Sequence, residues 1–240
     1  LVRMMKYYGI NGIGFNSEFK TSSEIMSQLS EFFVACHKEA EKLNWKFEVH
    51  WYDGTGDDGR IHFDGGLGNH NQKIFGNKDN IATDMLFANY NWGPSHLRGS
   101  VSTAQRLGRS SFDYYAGFDI QGRGLRQASW SALLDNDISI GFWGAHKQSL
   151  IHQSATDNGT SDIAIQKTYL KKQELMFSGG YNNPALLPAI NTDCNLANAS
   201  LKNFHGLATF LTAKSTIQQV PFVSRFNLGN GLSFRKDGKV

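Results

Sequence analysis

Cysteine is scarce: the 240 residues hold two, Cys36 and Cys194, far apart in the chain. Cys36 falls on an apolar helical face, so buried free thiols are expected rather than a disulfide or a cysteine metal site. Long apolar runs are missing as well. No stretch approaches 18 consecutive apolar residues, which leaves no segment able to cross a bilayer as a helix. Basic runs are equally short, none exceeding two Lys or Arg, and the net charge is only +3. That excludes the electrostatic footprint of a nucleic-acid binder or of a protein held to anionic lipid.

What is plentiful is apolar and aromatic surface. A 40% hydrophobic content over 240 residues can bury a sizeable core, in one domain or one and a fraction. The aromatic content is 12%, and many rings stand beside Asn, Gly and Asp at the ends of strand-like runs. A pyranose offers an apolar face to stack on and a rim of hydroxyls to hydrogen-bond, so this mixture suits a sugar cleft. An aromatic core accounts for it too.

The stretch Gly12 to Phe19 reads as a short buried strand ending in polar residues. Period-two alternation sends Asn16 and Glu18 to one face and Phe15, Ser17 and Phe19 to the other. An amide and a carboxyl side by side suit acid/base work on a substrate whose own polar group must be held. Ordinary solvated or capping residues give the same pattern.

Leu1 to Tyr8 looks like the last turns of a helix. Thr21-x-x-Glu24 reads as a capping box opening a helix to Leu43, with Ile25, Leu29, Phe32, Phe33, Cys36, Ala40 and Leu43 at three- and four-residue spacing. A second strand is expected over Lys46–Asp53, followed by a Gly-rich loop from Gly54 to Asn71. A third runs over Asp84–Trp92, with a helix from Ser95 to Leu107. The fourth covers Asp113–Ile120 and the fifth Ile138–Trp143. Further helices are expected near 163–177 and 201–215. Gln121-Gly122-Arg123-Gly124 lacks the later glycine and following helix of a phosphate loop.

This rhythm predicts an α/β fold with a parallel sheet: the later part of a (β/α)8 TIM barrel, whose active-site groups gather at the strands' C-terminal ends. A doubly wound sheet would need a topological switch point. The expected organisation is a barrel portion over 1–220, with 221–240 opening a β-rich sandwich. Three more β/α units are expected before Leu1.

With these segments in place the chain resembles the endo-β-N-acetylglucosaminidases of glycoside hydrolase family 85. The resemblance rests on six ordered motifs: Asn16-Ser17-Glu18, Trp51-Tyr52-Asp53, Asn89-Tyr90-Asn91-Trp92, Gly117 to Gly124, Phe177 to Pro184 and Pro221 to Gly231. Phe63 stands where the family often has Trp. The resemblance implies hydrolysis of the GlcNAc-β-1,4-GlcNAc core bond of N-glycans, on glycoproteins or free oligosaccharides, with retention and through an oxazoline formed by the substrate's own acetamido group. It makes Glu18 the acid/base, Asn16 the holder of the acetamido group and Tyr52 its second support. Trp51, His50, Phe63, Asn89, Trp92, Asp119 and Gln121 become candidate substrate-binding residues. Packing remains the alternative for Tyr52, Trp92 and Phe63, and rim support for Asp53, Asp119, Gln121 and Arg123. His50, His62 and His70 show no paired metal-ligand spacing, so no metal is expected, and the resemblance implies no cofactor. A secreted or cell-surface placement of bacterial type is expected, with cytoplasmic as the alternative. Two other functions stay open: a non-catalytic glycan-binding module, and a two-carboxylate retaining glycosidase pairing Glu18 with Asp53.

Overall fold

The computed structural model describes residues 1–119 and 130–144, together with 161, 163–164, 195–196, 199–200 and 220–221. The chain forms two compact units, Leu1–Gln148 and Ser149–Val240.

In the first unit a short helix, α1 (Val2–Tyr7), leads into strand β1 (Gly12–Phe15), the long helix α2 (Ser23–Lys42) and strand β2 (Glu48–Tyr52). A one-turn helix, α3 (Gln72–Phe75), and a small antiparallel hairpin, β3 (Gly76–Asn77) and β4 (Asn80–Ile81), lie within the next connection. Then come β5 (Met85–Phe87), α4 (Pro94–Arg106), a 3-10 turn at Ser111–Asp113, β6 (Tyr114–Asp119), α5 (Trp130–Leu134) and β7 (Ser139–Trp143). The second unit contains the hairpin of β8 (Asn195–Leu196) and β9 (Ala199–Ser200).

β1, β2, β5, β6 and β7 pair in that order, all parallel, into one five-stranded sheet. The order follows the sequence without reversal, so among the described residues there is no switch point of the kind a doubly wound sheet requires. All five expected strands are present, somewhat shorter than read from sequence. The expected helices at 163–177 and 201–215, the Gln121–Gly124 loop and the 221–240 segment lie largely or wholly outside the described residues.

The N-terminus of α2 corrects one detail. Its cap is Ser22, whose hydroxyl accepts from the Ile25 amide at 3.3 Å, while the Thr21 amide donates to the Gly59 carbonyl at 2.9 Å. Thr21 is pinned to the Gly-rich loop, so the chain enters the helix one residue later.

One face of the sheet is covered by helices. Phe33 of α2 packs on Phe15 and Trp51 at centroid distances of 5.1 and 6.1 Å, and all of Trp51, Phe33, Val49, Leu86, Leu97, Tyr114 and Phe118 are buried. Each such side chain contributes about 1.5–3 kcal/mol by leaving water. Arg109, also buried, bolts the loops below: it donates to the carbonyls of Phe75 and Thr83 and to the Asp113 carboxylate, and its guanidinium lies 4.3 Å above the Phe75 ring centroid.

Candidate active site

The sheet's other face holds the chemistry. Register puts Gly14, His50 and Met85 on one level, with Tyr52 and Phe87 on the next. Phe87 forms a floor across the sheet: a Cβ on Gly117 would come within 2.7 Å of its ring, and one on Gly141 within 2.3 Å. Only glycine at those two positions lets the ring lie there. Above it is a cavity of about 270 Å³, lined by Asn16, His50, Tyr52 and Phe87 and by Trp143 from β7.

β1 ends at Phe15, and the Glu18 amide donates to the Asn16 carbonyl at 3.0 Å, so the chain turns as it leaves the sheet. The alternation nonetheless persists. Ser17 is fully buried, its hydroxyl donating to the Tyr52 carbonyl, while Phe15 and Phe19 both pack on Trp51. Asn16 and Glu18, on the opposite side, are exposed. Thr55 clamps this turn from the neighbouring loop, its hydroxyl within 2.8 Å of the Ser17 carbonyl and 2.6 Å of the Phe19 carbonyl.

Tyr52 ends β2, and its phenol oxygen accepts from Asn89 Nδ2 at 2.9 Å. Tyr90 hydrogen-bonds Tyr52 as well, and burial, with the nearby Tyr52, Asp119 and Glu18, raises the Tyr90 hydroxyl well above its usual range. Tyr90 therefore stays protonated, with a hydroxyl that can donate its proton and accept through its oxygen. Phe63 leans on Tyr52 from the Gly-rich loop, with ring centroids 6.2 Å apart, and takes a left-handed backbone conformation, φ 53°. An aromatic residue there costs on the order of 1–3 kcal/mol. The Asn91 amide helps hold it, donating to the Phe63 carbonyl at 2.7 Å.

Asp53 governs the loop beneath. It is buried, and its carboxylate accepts from the Gly65 amide at 2.6 Å, from Asn71 Nδ2 at 2.9 Å and from the Asn89 amide at 3.4 Å. Burial raises its pKa to about 7 against the pull of those three donors.

The expected substrate contacts are divided between the cavity and the core. Trp51 borders the cavity but is fully buried, its indole N–H donating to the Thr55 carbonyl and its ring packed on Phe33. Parity explains this, since Trp51 alternates with the inward His50 and Tyr52. Trp92 is also buried, its indole N–H on the Gly117 carbonyl at 2.7 Å and its ring edge-on to Phe118. It braces the end of β5 against β6 and offers no stacking face. Asn89 is buried and acts on Tyr52. His50 lines the cavity, 3.3 Å from the Glu48 carboxylate, and Asp119 ends β6 close enough to influence Tyr90. Gln121 and Arg123 lie outside the described residues.

Two site residues escaped the sequence reading. Tyr90 sits inside a quoted motif but carries no signal distinguishing it from a packing aromatic. Trp143, about half exposed, ends the fifth strand, where the rule about strand C-termini would have found it.

The sequence model of glycosyl hydrolase family 85 matches residues 1–234. The chain belongs to that family. Over 124 residues, 52% of the chain, it is 30% identical to the cytosolic endo-beta-N-acetylglucosaminidase of Gallus gallus and 29% identical to that of Danio rerio. The aligned stretch spans 16% of each relative's length. Among solved structures, the Endo-D glycoside hydrolase domain of Streptococcus pneumoniae R6 aligns with a TM-score of 0.66 at 24% identity, covering 87% of this chain and 31% of that one. This likeness supports the α/β fold. The family-85 relatives also correct the placement expected from sequence. Both are named cytosolic, which overturns the secreted or cell-surface reading; residue chemistry at a sugar cleft is the same in either compartment and could not have decided it.

Proposed function

We propose that this chain carries the acid/base half of an endo-β-N-acetylglucosaminidase that cuts the GlcNAc-β-1,4-GlcNAc core bond of N-glycans in the cytosol. The observation that carries the reading is the convergence at one cavity of Asn16 and Tyr52, with Glu18 exposed two residues beyond Asn16 and close enough to act on Tyr90. In this mechanism the acetamido oxygen of the substrate attacks its own anomeric carbon while Glu18 protonates the departing glycosidic oxygen. The C–O bond to the second GlcNAc breaks and a cyclic oxazolinium ion forms, keeping the acetamido N–H and balancing the new Glu18 carboxylate. Glu18, now a carboxylate, takes a proton from water as that water opens the oxazolinium ring with net retention. Asn16 orients the acetamido group, and the Tyr52 hydroxyl, held by Asn89 and Tyr90, stabilises the charge developing on it.

The two-carboxylate alternative fits the geometry poorly. Asp53 would have to be the nucleophile, yet it is buried with both oxygens engaged by loop donors. We further propose that the five strands are the fourth to eighth of a (β/α)8 barrel, with three β/α units before Leu1 and a β-rich domain opening at 221–240. The unreversed parallel order supports the barrel portion of this reading.

The test is incubation with a high-mannose glycopeptide. Release of glycan leaving one GlcNAc on the peptide is the expected outcome, and Asn16→Ala should abolish it while still accepting a preformed sugar oxazoline. Binding without release would favour the non-catalytic module. Equal loss by Asn16→Ala on both donors would remove the assigned role of Asn16.

A further inference from the structure

The Gly-rich connection after β2 brings together two histidines that lie eight positions apart. The rings of His62 and His70 stack with centroids 4.0 Å apart and planes 13° from parallel. Asp64 joins them. One nitrogen of each histidine and one carboxylate oxygen of Asp64 all lie within 4.8 Å of one another. The loop is built for this approach: a Cβ on Gly56 would stand 2.7 Å from the His62 ring and 2.7 Å from the His70 carbonyl, so any larger residue would push the pair apart. The backbone fixes the approach as well, since the Asp57 amide donates to the His70 carbonyl and the His62 amide to the Gly54 carbonyl.

We propose that His62, Asp64 and His70 form a binding site for a divalent transition-metal ion, with zinc as the best match. Two imidazoles and one carboxylate are a three-protein-ligand set that leaves a fourth position to water. Bonds of about 2.0–2.2 Å place tetrahedral donors roughly 3.4 Å apart. The present spread of up to 4.8 Å closes by turning the His70 ring out of the stack, and its side chain, 52% exposed, has room to turn. Asp58, whose carboxylate is 2.8 Å from His62 Nε2, can accept from that ring nitrogen, the outer contact that orients a ligating imidazole.

The site bears on sugar binding through Phe63. This residue sits between two of the ligands in sequence, in a left-handed conformation, with its ring against Tyr52. A metal bridging the loop fixes Phe63 against Tyr52. That consequence rests on the function proposed above; metal binding itself does not.

Zinc chloride titrated calorimetrically into the chelator-treated 240-residue protein tests the site, with cobalt(II) as a spectroscopic probe. Expected are one equivalent bound with a dissociation constant on the order of micromolar and visible cobalt bands of a four-coordinate site. His62→Gln and His70→Gln should each weaken binding at least tenfold, and His96→Gln should not. Circular dichroism of each variant separates ligand loss from misfolding, and Asp64→Asn provides a further variant that keeps the volume. Absence of saturable binding, or binding unchanged in the His62→Gln/His70→Gln double variant, overturns the proposal. Metal binding in a protein that releases no glycan would leave the site standing and the glycosidase reading fallen.

Discussion

Glu18 and Asp53 are two carboxyls with opposite fates. Glu18 is exposed just past β1, and removing its proton-transfer ability in Glu18→Gln should lower glycopeptide hydrolysis on the order of 10²-fold or more while leaving glycan binding nearly unchanged. Near-normal turnover in that variant would reject its role. Asp53 is buried with its pKa raised to about 7. A carboxyl raised above its unfolded value of 3.8 favours folding while protonated, so its contribution is lost as pH rises from about 4 through about 7. Asp53→Asn should flatten that part of a melting-temperature profile against pH, while lowering stability overall because its amide meets the Asn71 amide donor. An unchanged slope would mean that Asp53 is ionised in the fold throughout. Asn89 acts through another residue: Asn89→Ala should cut turnover by weakening the hold on Tyr52, and in a Tyr52→Phe background the same change should have little further effect. Independent losses would place Asn89 on a separate path.

At the scale of elements, the joint between α2 and the strand entrance at Asp84 is ionic. His37 donates toward the Phe33 carbonyl at 2.8 Å and the Asp84 carboxylate at 2.7 Å, and Asp84 also accepts from the Val49 amide. Both ring nitrogens face acceptors, which only the imidazolium satisfies. Burial opposes charging His37, but the Asp84 hydrogen bond and charge outweigh it and raise the pKa; burial likewise opposes charging Asp84, and His37 with the Val49 amide lowers it. The His37 contribution is present below its unfolded value near 6.5 and lost as pH rises through the higher folded value. That of Asp84 is present above about 3.8 and lost as pH falls through its lower folded value. The melting-temperature gap between the protein and His37→Gln should therefore be widest near about pH 5 to 6 and narrow toward about pH 9. A gap independent of pH would show that packing, not charge, holds the joint.

At the scale of the whole molecule, β1 is the outer strand of the described sheet on its side, flanked by exposed Tyr7, Tyr8 and Ile10. An outer strand beside apolar side chains is a template for pairing. The 240-residue chain by itself should associate with rising concentration in sedimentation, and Tyr8→Lys with Ile10→Lys should suppress this. Concentration-independent monomers before substitution would show that this edge is covered.

The order of strands and helices was legible in the chain because hydrophobic period and turn chemistry are local. The burial of Ser17 between exposed Asn16 and Glu18 was legible for the same reason, although β1 itself ends at Phe15. Alternation also puts the Trp51 ring against the core beside a Tyr52 that faces the cavity. Nothing local could assign Trp92, whose burial depends on the Gly117 carbonyl 25 positions on. The partners of Asp53 and the meeting of His62 with His70 lie further out of reach. They depend on where a glycine-rich backbone returns in space, and such a backbone has too many open conformations for spacing to select one. The sequence by itself determined a parallel α/β chain with an amide and a carboxyl at one strand end; only the tertiary structure decided which aromatics face the cavity and which carboxyl is locked away, because those outcomes are set by contacts between segments whose spacing in the chain says nothing of their distance.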